Sequence, residues 1–353
     1  MDFSLFYLPT YRAGFAASLN AFYGELTASV KLADRLGWAR VLTTEHHFHY
    51  YGGAVPNPAV ILAAWARETE RIRLAAGVSL VPLRHPLQVA EDYALVDHLS
   101  EGRLDMGVSR GFVPHEFEAF GVSQDETAER VMEGLDIIKK FWAGEPFEYR
   151  GRFTRFPRIE PWPRPFQRQV PIWIAASNDP ASFERVGAGG YHLMMNQYPM
   201  SLASLAEKHA KFKEAHAEAG HDPARRKSAV ALLVHLADSE ERAIEEARGW
   251  VQEHAAAFHK VQTHNEWDRG YSGAISTLLA MCEGNDYRDV FRKRTLICTP
   301  AQAAERLAKY IDLGFTEAIF VTRYAGVPAG QERETIERLT REVRPLLGLK
   351  AAA

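Results

Sequence analysis

The first group of residues that could do chemistry is a carboxylate with three nearby histidines, Glu45, His46, His47 and His49. Imidazole changes its charge near neutral pH and a neighbouring carboxylate can orient it, so the group has the composition of an acid or base site. Burial of the histidines against neighbouring carbonyls is the structural alternative. Successive side chains of an extended segment point to opposite faces, so only His47 and His49 are expected to converge on a metal ion. We expect proton transfer here and no metal.

The second group surrounds Arg110, which directly follows Ser109 and stands between Gly107 and Gly111. A guanidinium can bind an anion or stack on a planar heterocycle. Glycines on both sides allow a ligand to approach the backbone closely. A binding site for an anionic or flat ligand is one interpretation of this segment, and a surface salt bridge of Arg110 is the other.

The third group lies where an apolar run changes into a helix start, at residues 176–182, which include Ser177, Asn178 and Ser182. Unpaired N–H groups and the positive end of the helix dipole can bind a phosphate there. The same side chains could instead serve as N-caps. The sequence has no G-x-G-x-x-G, P-loop, G-x-S-x-G or H-E-x-x-H motif. We therefore expect a bound cofactor, assisted by histidine, to do the chemistry.

These groups follow short apolar runs that alternate with longer amphipathic runs, which is the pattern of a parallel sheet wrapped by helices. Strands are predicted at residues 3–8, 40–44, 72–81, 104–110, 170–175, 192–195, 228–236 and 317–322. Helices are predicted at residues 26–36, 57–69 and 86–99, and N-caps at Asp238 and Thr299 start two more. No linker rich in Pro, Gly or Ser divides them. We predict an α/β fold, a single TIM (β/α)8 barrel domain over residues 1–353 with its site at the C-terminal ends of the strands.

Two stretches interrupt the alternation and are predicted to be insertions. Residues 145–168 are rich in aromatics, Pro and Arg, which favours a hairpin followed by a proline-rich connection. Residues 259–295 are polar and irregular in pattern. Long irregular loops of a compact barrel often cover its site, so we expect a mobile lid loop here.

Composition excludes several classes of partner. The 353 residues carry 42 Lys plus Arg against 45 Asp plus Glu, a formal charge of -3, so nucleic acid and anionic membrane surfaces are not expected partners. The longest uncharged apolar stretch, residues 54–66, is interrupted by two prolines and is shorter than the roughly 20 residues of a membrane span. Two cysteines are too few for a disulfide framework. An acid at position 2 argues against a signal peptide, so we expect a cytoplasmic protein.

Six short motifs occur in a fixed order along the first third of the chain. They are Glu45-His46-His47-Phe48, Asn57-Pro58 and the segments 81–86, 90–92, 99–103 and 107–111. Each motif alone is unspecific, but their ordered combination resembles the bacterial luciferase-like flavin-dependent monooxygenases, also called LLM class flavin-dependent oxidoreductases. The resemblance covers most of the chain and is closest through about residue 121.

The resemblance implies a TIM-barrel flavoprotein that binds reduced FMN (FMNH2). Such an enzyme activates dioxygen through a C4a-(hydro)peroxyflavin and oxygenates a small organic substrate, which we expect to be apolar. It also implies a two-component system, in which a separate NAD(P)H:flavin reductase supplies the flavin, and a homodimer.

The resemblance assigns roles to single residues. The catalytic histidine of the family corresponds to His46, with Glu45 or His47 orienting its imidazole. The flavin-binding arginine corresponds to Arg110, and an arginine near the flavin phosphate corresponds to Arg130. The other implied cofactor positions are Gly77 and Val78, joined by a cis peptide against the flavin ring, together with Ser109, Ala176, Ser177, Asn178 and Ser182.

The sequence departs from luciferase alpha chains at two positions. Ser109 stands where those chains have a reactive cysteine, and Ser177 replaces the acidic residue of their phosphate turn. The first difference argues against an exact copy of luciferase chemistry, and light emission is not implied.

Two alternative functions remain open at this point. One is a hydride-transfer oxidoreductase of the same superfamily that uses the deazaflavin F420. The other is a non-catalytic flavin-binding subunit, which would have no use for the histidine group. The substrate is not identified by the sequence, and a set of aromatic residues could line its pocket or belong to the core. They are Tyr50, Tyr51, Phe112, Trp173, Tyr198 and Trp267.

Overall fold

The computed structural model describes residues 1–177, 179–197, 200–263 and 287–349. The described residues form eleven strands: β1 (Asp2–Tyr7), β2 (Arg40–Thr43), β3 (Arg73–Ala76), β4 (Leu104–Val108), β5 (Phe147–Arg150), β6 (Arg155–Ile159), β7 (Ile172–Ala175), β8 (His192–Asn196), β9 (Ser228–Leu236), β10 (Leu296–Cys298) and β11 (Glu317–Arg323).

Helices connect the strands and surround them. They are α1 (Leu19–Arg35), α2 (Pro58–Glu68), α3 (Pro86–Leu99), α4 (Pro114–Ala119), α5 (Thr127–Ala143), α6 (Pro180–Ala188), α7 (Leu202–Glu218), α8 (Glu240–Thr263), α9 (Tyr287–Arg294), α10 (Pro300–Asp312), α11 (Ala329–Arg338) and α12 (Arg344–Leu346). None of the described helices combines the length and the apolar composition that a membrane span requires.

Eight of the strands close into a parallel barrel in the order β1, β2, β3, β4, β7, β8, β9 and β11, and β11 pairs with β1. The predicted TIM-barrel fold is confirmed, and each of the eight predicted strands contributes one strand to it. A buried parallel strand needs apolar residues on both faces, and β9, whose residues are all buried, is the clearest example. The short strand β10 was not predicted; it pairs with the last three residues of β9.

Helix starts follow their capping residues. Helix α3 has the predicted bounds, and the predicted capping box between Thr299 and Gln302 is present at the start of α10. Helix α1 begins earlier than predicted, because Ser18 accepts a hydrogen bond from the amide of Ala21 at 3.0 Å. The cap expected at Asp238 lies one residue later, where Ser239 Oγ accepts from the amide of Arg242 at 3.2 Å.

The two predicted insertions have different outcomes. Strands β5 and β6 form the expected antiparallel hairpin. The expectation of an irregular segment at 259–295 is wrong for both of its ends, because 259–263 continue α8 and 287–294 form α9. Residues 264–286 of this predicted lid lie outside the described residues.

The barrel interior holds a buried ion cluster at its amino-terminal end and the candidate site at the other. The Arg40 guanidinium pairs with Asp105 at 2.7 Å and with Glu317 at 3.3 Å, and it lies 4.1 Å from the ring centroid of Trp173. Because all eight strands are parallel, the segments after β2, β3, β4 and β7 meet at the opposite, carboxyl-terminal rim. The three residue groups that could do chemistry are therefore brought together there.

Candidate functional site

A cavity of about 270 Å³ opens at the carboxyl-terminal rim of the barrel. Its walls include segments that follow four neighbouring strands, β2, β3, β4 and β7. Residues of β1, β8, β9 and β11 and of the helices α5 and α6 complete the lining. The predicted site residues that line it are Glu45, His46, Gly77, Val78, Ser109, Arg110, Ala176, Ser177 and Ser182. Asn178 lies outside the described residues.

His46 is buried in the cavity wall, directly after β2. Its Nδ1 lies 3.1 Å from Glu116 Oε1. The edges of its ring pack against Tyr51 and Phe112, with centroid distances of 5.7 and 5.6 Å. Within the described part of the chain, His46 Nε2 has no hydrogen-bond partner. Nε2 is therefore the nitrogen left for a bound molecule.

Glu116, in the short helix α4, is the carboxylate that orients His46. It is fully buried, and its Oε1 also accepts hydrogen bonds from the His47 amide at 2.7 Å and from His49 Nε2 at 3.1 Å. Burial alone would raise the pKa of this carboxyl, but the hydrogen bonds from His46, His49 and the His47 amide outweigh it and lower the pKa to about 2. An ionised carboxylate only accepts, so His46 carries its proton on Nδ1 and Nε2 has a free lone pair.

The expectation that Glu45 or His47 orients His46 is wrong. Glu45 Oε2 accepts from Ser79 Oγ at 2.9 Å and from the Leu80 amide at 3.1 Å, and its Oε1 faces His47 Nε2 at 3.3 Å. His47 itself does not line the cavity; its ring packs on Phe120, with centroids 4.9 Å apart. Sequence reasoning missed Glu116. The signal was an acid between His115 and Phe117, just beyond the Gly-x-x-Arg-Gly segment after β4.

The convergence of histidines also differs from the prediction. His46 and His49 meet at Glu116, with ring centroids 5.4 Å apart, whereas His47 and His49 do not meet. The physical reason is Phe48, whose φ of 65° interrupts the extended backbone and breaks the alternation of faces. The ring nitrogens of His46 and His49 that face Glu116 are both engaged by hydrogen bonds to its Oε1.

The middle of the cavity is formed after β3. The Gly77–Val78 peptide is cis, as expected from the resemblance. A Cβ on Gly77 would lie 2.8 Å from Leu42 Cβ, so the glycine permits close packing of this segment on the barrel. The Val78 carbonyl accepts from the Glu45 amide at 3.1 Å and thereby ties this segment to the histidine group.

Arg110 lies at the cavity rim and is exposed. Its guanidinium makes no hydrogen bond or ion pair with any residue that the structure describes. Ser109 beside it accepts a hydrogen bond from the Gly111 amide at 3.2 Å and shapes the turn. Arg110 is therefore accessible to a bound ligand. The alternative interpretation, a surface salt bridge of Arg110, is not formed with any described residue.

The far end of the cavity is built by the turn from β7 into α6. Asp179 caps α6: its carboxylate accepts from the Ala181 amide at 3.0 Å, and its carbonyl accepts from the Ser182 amide at 3.0 Å. These amides are thus already bonded, and the Ser182 hydroxyl also donates to the Asp179 carbonyl, at 2.6 Å. The donors at this end that can turn to an anion are therefore the Ser177 hydroxyl and the Arg185 guanidinium. Arg185, three residues after Ser182, lines the cavity and pairs with Asp179 at 2.9 Å. Sequence reasoning missed Arg185, although its helical spacing from Ser182 was a usable signal.

Arg130 is not brought to the cavity. It pairs with Glu126 one turn earlier at 3.0 Å and lies 4.3 Å from the ring centroid of Phe153. Its neighbours Val131 and Met132 line the cavity instead. The helix α5 therefore turns an apolar face toward the site and Arg130 away from it.

Aromatic residues divide between the cavity and the core. Tyr51 and Phe112 line the cavity beside His46, whereas Trp173 is buried inside the barrel. Tyr50 packs against the hydrophobic cluster around α8. Tyr198 and Trp267 lie outside the described residues.

Comparison with known proteins identifies the family. The family model described as luciferase-like monooxygenase matches residues 1–317. The chain is 28% identical over 351 residues to the oxygenase component of flavin-dependent trigonelline monooxygenase from Acinetobacter baylyi, covering 98% of this chain and 95% of that protein.

Solved structures give the same result. The crystal structure of monooxygenase RslO1 from Streptomyces bottropensis superposes with a TM-score of 0.83 at 27% identity, covering 98% of this chain and 99% of that chain. The oxygenating constituent of 3,6-diketocamphane monooxygenase from Pseudomonas putida, in complex with FMN, has a TM-score of 0.81 over 99% of each chain at 21% identity, a likeness of fold. The chain is a member of the luciferase-like monooxygenase family.

Proposed function

We propose that the protein is a flavin-dependent monooxygenase that uses reduced FMN and dioxygen to oxygenate a small, mainly apolar organic substrate. The observation that carries the proposal is the state of His46. One ring nitrogen is held by Glu116, and the other is left for a molecule in a cavity whose far end carries Arg185. A proton-transfer group and an anion-binding group thus share one cavity.

The cavity has the chemistry that FMN needs along its length. The Gly77–Val78 segment, with no side chain at Gly77, would face the flat ring system, and Arg110 is free to stack on it or hold its polar edge. Ser177 and Arg185 would hold the phosphate, and Ser182 would join them once its hydroxyl turns away from the Asp179 carbonyl. The turn that carries Ser177 is fixed by Lys208, whose Nζ donates to the Ser177 carbonyl at 3.1 Å. Arg130, paired elsewhere, is left out of this set.

Reduced FMN, when bound, supplies the electrons for oxygen chemistry. The residues of this chain supply position, proton transfer and a dry environment. His46 Nε2 would take up or donate a proton, and the Glu116 carboxylate behind it would stabilise the imidazolium that forms. Tyr51, Phe112 and Leu8 would exclude water from this end of the cavity and contact an apolar substrate.

Partners follow from the same proposal. A separate NAD(P)H:flavin reductase would supply the reduced flavin, which agrees with the relative named as an oxygenase component. We further propose one domain over the whole chain and a cytoplasmic homodimer. The adjacent helices α2 and α3 support a dimer interface, because Val60 and Leu95 on them are 68% and 54% exposed.

The test measures oxygen uptake and product by mass spectrometry, with FMNH2 generated by a reductase and a panel of apolar substrates. Substrate-dependent incorporation of 18O from 18O2 by the purified chain is expected. Reduction of F420 by alcohols without oxygen uptake would instead establish the hydride-transfer alternative. Flavin binding with turnover only after a second subunit is added would establish a non-catalytic flavin-binding subunit.

A further inference from the structure

One carboxylate oxygen holds two histidines of the site. Glu116 Oε1 lies 3.1 Å from His46 Nδ1 and 3.1 Å from His49 Nε2. We propose that His49 is a positioning residue that shares this oxygen with His46 and thereby restrains how readily His46 takes up a proton. The proposal rests on the proposed role of His46 in the flavin-dependent reaction.

The positions of the donors around Glu116 show that its Oε1 is shared. Oε1 also accepts the His47 amide at 2.7 Å, so three N–H groups converge on one oxygen. Oε2 is buried and has no hydrogen-bond partner among the described residues. A carboxylate oxygen offers about two lone-pair sites, so three N–H groups that share one oxygen compete and weaken one another. The hydrogen bond to His46 is therefore weaker than it would be if Glu116 served His46 alone.

The charges of the neighbouring groups also support a restraint on proton uptake by His46. A proton on His46 Nε2 creates an imidazolium that faces the Glu116 carboxylate and, with ring centroids 5.4 Å apart, also faces His49. Burial lowers the pKa of His49, and the nearby His46 lowers it further, although Glu116 opposes both. The neutral form of His49, in which Nε2–H donates to Glu116, is thus favoured. Without the His49 donor, Glu116 would stabilise the charge on His46 more strongly.

Other titratable groups surround the pair. Tyr51 packs on both rings, and His254 from α8 packs behind Tyr51 with centroids 5.5 Å apart. His115, on α4, contacts the His49 ring at 5.0 Å. Glu45 is turned toward Ser79 and His47. Glu116 is thus the carboxylate that hydrogen-bonds both rings.

Four variants separate the effect of the shared hydrogen bond from the effect of packing. His49→Phe and His49→Leu fill the space without a donor, and either one suffices if the other does not fold. His49→Gln retains an N–H donor at the reach of Nε2 but cannot titrate. Glu116→Gln removes the charge itself.

The experiment is an NMR titration of 15N,13C-histidine-labelled protein without cofactor, with the His46 signals assigned by comparison with His46→Asn. The expected midpoint for His46 rises by about one pH unit, a tenfold change in affinity for the proton, in His49→Phe or His49→Leu. It stays within about 0.3 unit in His49→Gln and falls by at least about one unit in Glu116→Gln. His98, which donates to or accepts from no residue of this group, is the internal control.

A midpoint that does not rise in His49→Phe and His49→Leu, or that rises equally in His49→Gln, overturns the proposal. Because this measurement needs no flavin, it is independent of the proposed function. If the midpoint rises but the wild type incorporates no oxygen from FMNH2 and dioxygen, the proposed function fails and the sharing stands. If oxygenation occurs but its pH profile is unchanged in His49→Phe, the restraint does not act in catalysis. In that case the proposal for His49 fails and the proposed function stands.

Discussion

Glu116 accepts a hydrogen bond from His46 Nδ1 at 3.1 Å, although 70 positions separate the two residues in the chain. The helix α4 after β4 brings the carboxylate beneath the loop after β2, at the rim where a TIM barrel gathers its functional groups. The proton-transfer unit of this site is therefore built from two non-adjacent barrel segments, and the following predictions test its parts.

His46→Ala is expected to retain FMN binding and to lose about 100-fold or more of the oxygenation rate, the usual contribution of a positioned acid or base. Flavin fluorescence titration and oxygenation kinetics measure the two effects. His47→Ala is the matched control and should lose less than about threefold, because His47 does not line the cavity. An unaltered rate in His46→Ala removes this residue from the mechanism.

Glu116→Gln is expected to lower kcat about 10- to 100-fold with little change in KM, because an amide orients the imidazole but does not stabilise its charged form. Glu116→Asp should recover part of the loss. Equal kinetics for Glu116→Gln and wild type would mean that His46 works without the carboxylate.

Glu116 should also make stability depend on pH in the acid range. Its pKa is lowered to about 2 in the folded protein from an ordinary 4.5, so its contribution is present above pH 4.5 and is lost as the pH falls toward 2. The contribution at neutral pH is on the order of 3 kcal/mol. Urea unfolding between pH 6 and pH 2.5 should show a steeper loss for wild type than for Glu116→Gln. Parallel curves would contradict the lowered pKa.

Arg185→Ala is expected to weaken FMN binding about 10-fold or more, because it removes the guanidinium at the proposed phosphate end. Riboflavin, which lacks the phosphate, should bind the variant and wild type alike. Arg130→Ala is the control and should bind FMN as wild type does, since Arg130 pairs with Glu126 outside the cavity. If Arg130→Ala weakened FMN binding and Arg185→Ala did not, Arg130 would be assigned to the phosphate site.

Arg110→Ala is expected to weaken both FMN and riboflavin about 10-fold, because Arg110 is proposed to contact the ring system that they share. Fluorescence titration of both flavins tests this. A loss for FMN alone would place Arg110 at the phosphate, and no loss for either would make it a surface residue.

Much of the fold could be predicted from the sequence, because the patterns that indicate strands and helix starts are local. Apolar runs predicted all eight barrel strands, and the capping residues Asn57, His85 and Thr299 precede helices close to the predicted starts. Strand β10 was missed because three buried residues give no period to recognise. The last turn of α8 and the whole of α9 were missed because their polar composition resembles that of a loop.

The site was predictable only in its local parts. His46 and Ser177 follow predicted strands, Arg110 is the last residue of one, and all three line one cavity. Glu116 could not be paired with His46 from the sequence, because that contact depends on where α4 returns to the barrel. The choice between Arg130 and Arg185 depends on which helix face meets the cavity, and the spacing alone did not decide it.

The left-handed residue Phe48 has a consequence for how this loop can vary. Its side chain is 66% exposed, while its backbone bend is what returns His49 to the side of His46. Natural or laboratory variation should therefore accept glycine or asparagine at position 48 and reject valine or isoleucine. Position 48 requires a residue that adopts a left-handed backbone conformation. A substitution table based on hydrophobicity would therefore rank valine and isoleucine above glycine and asparagine, which is the wrong order.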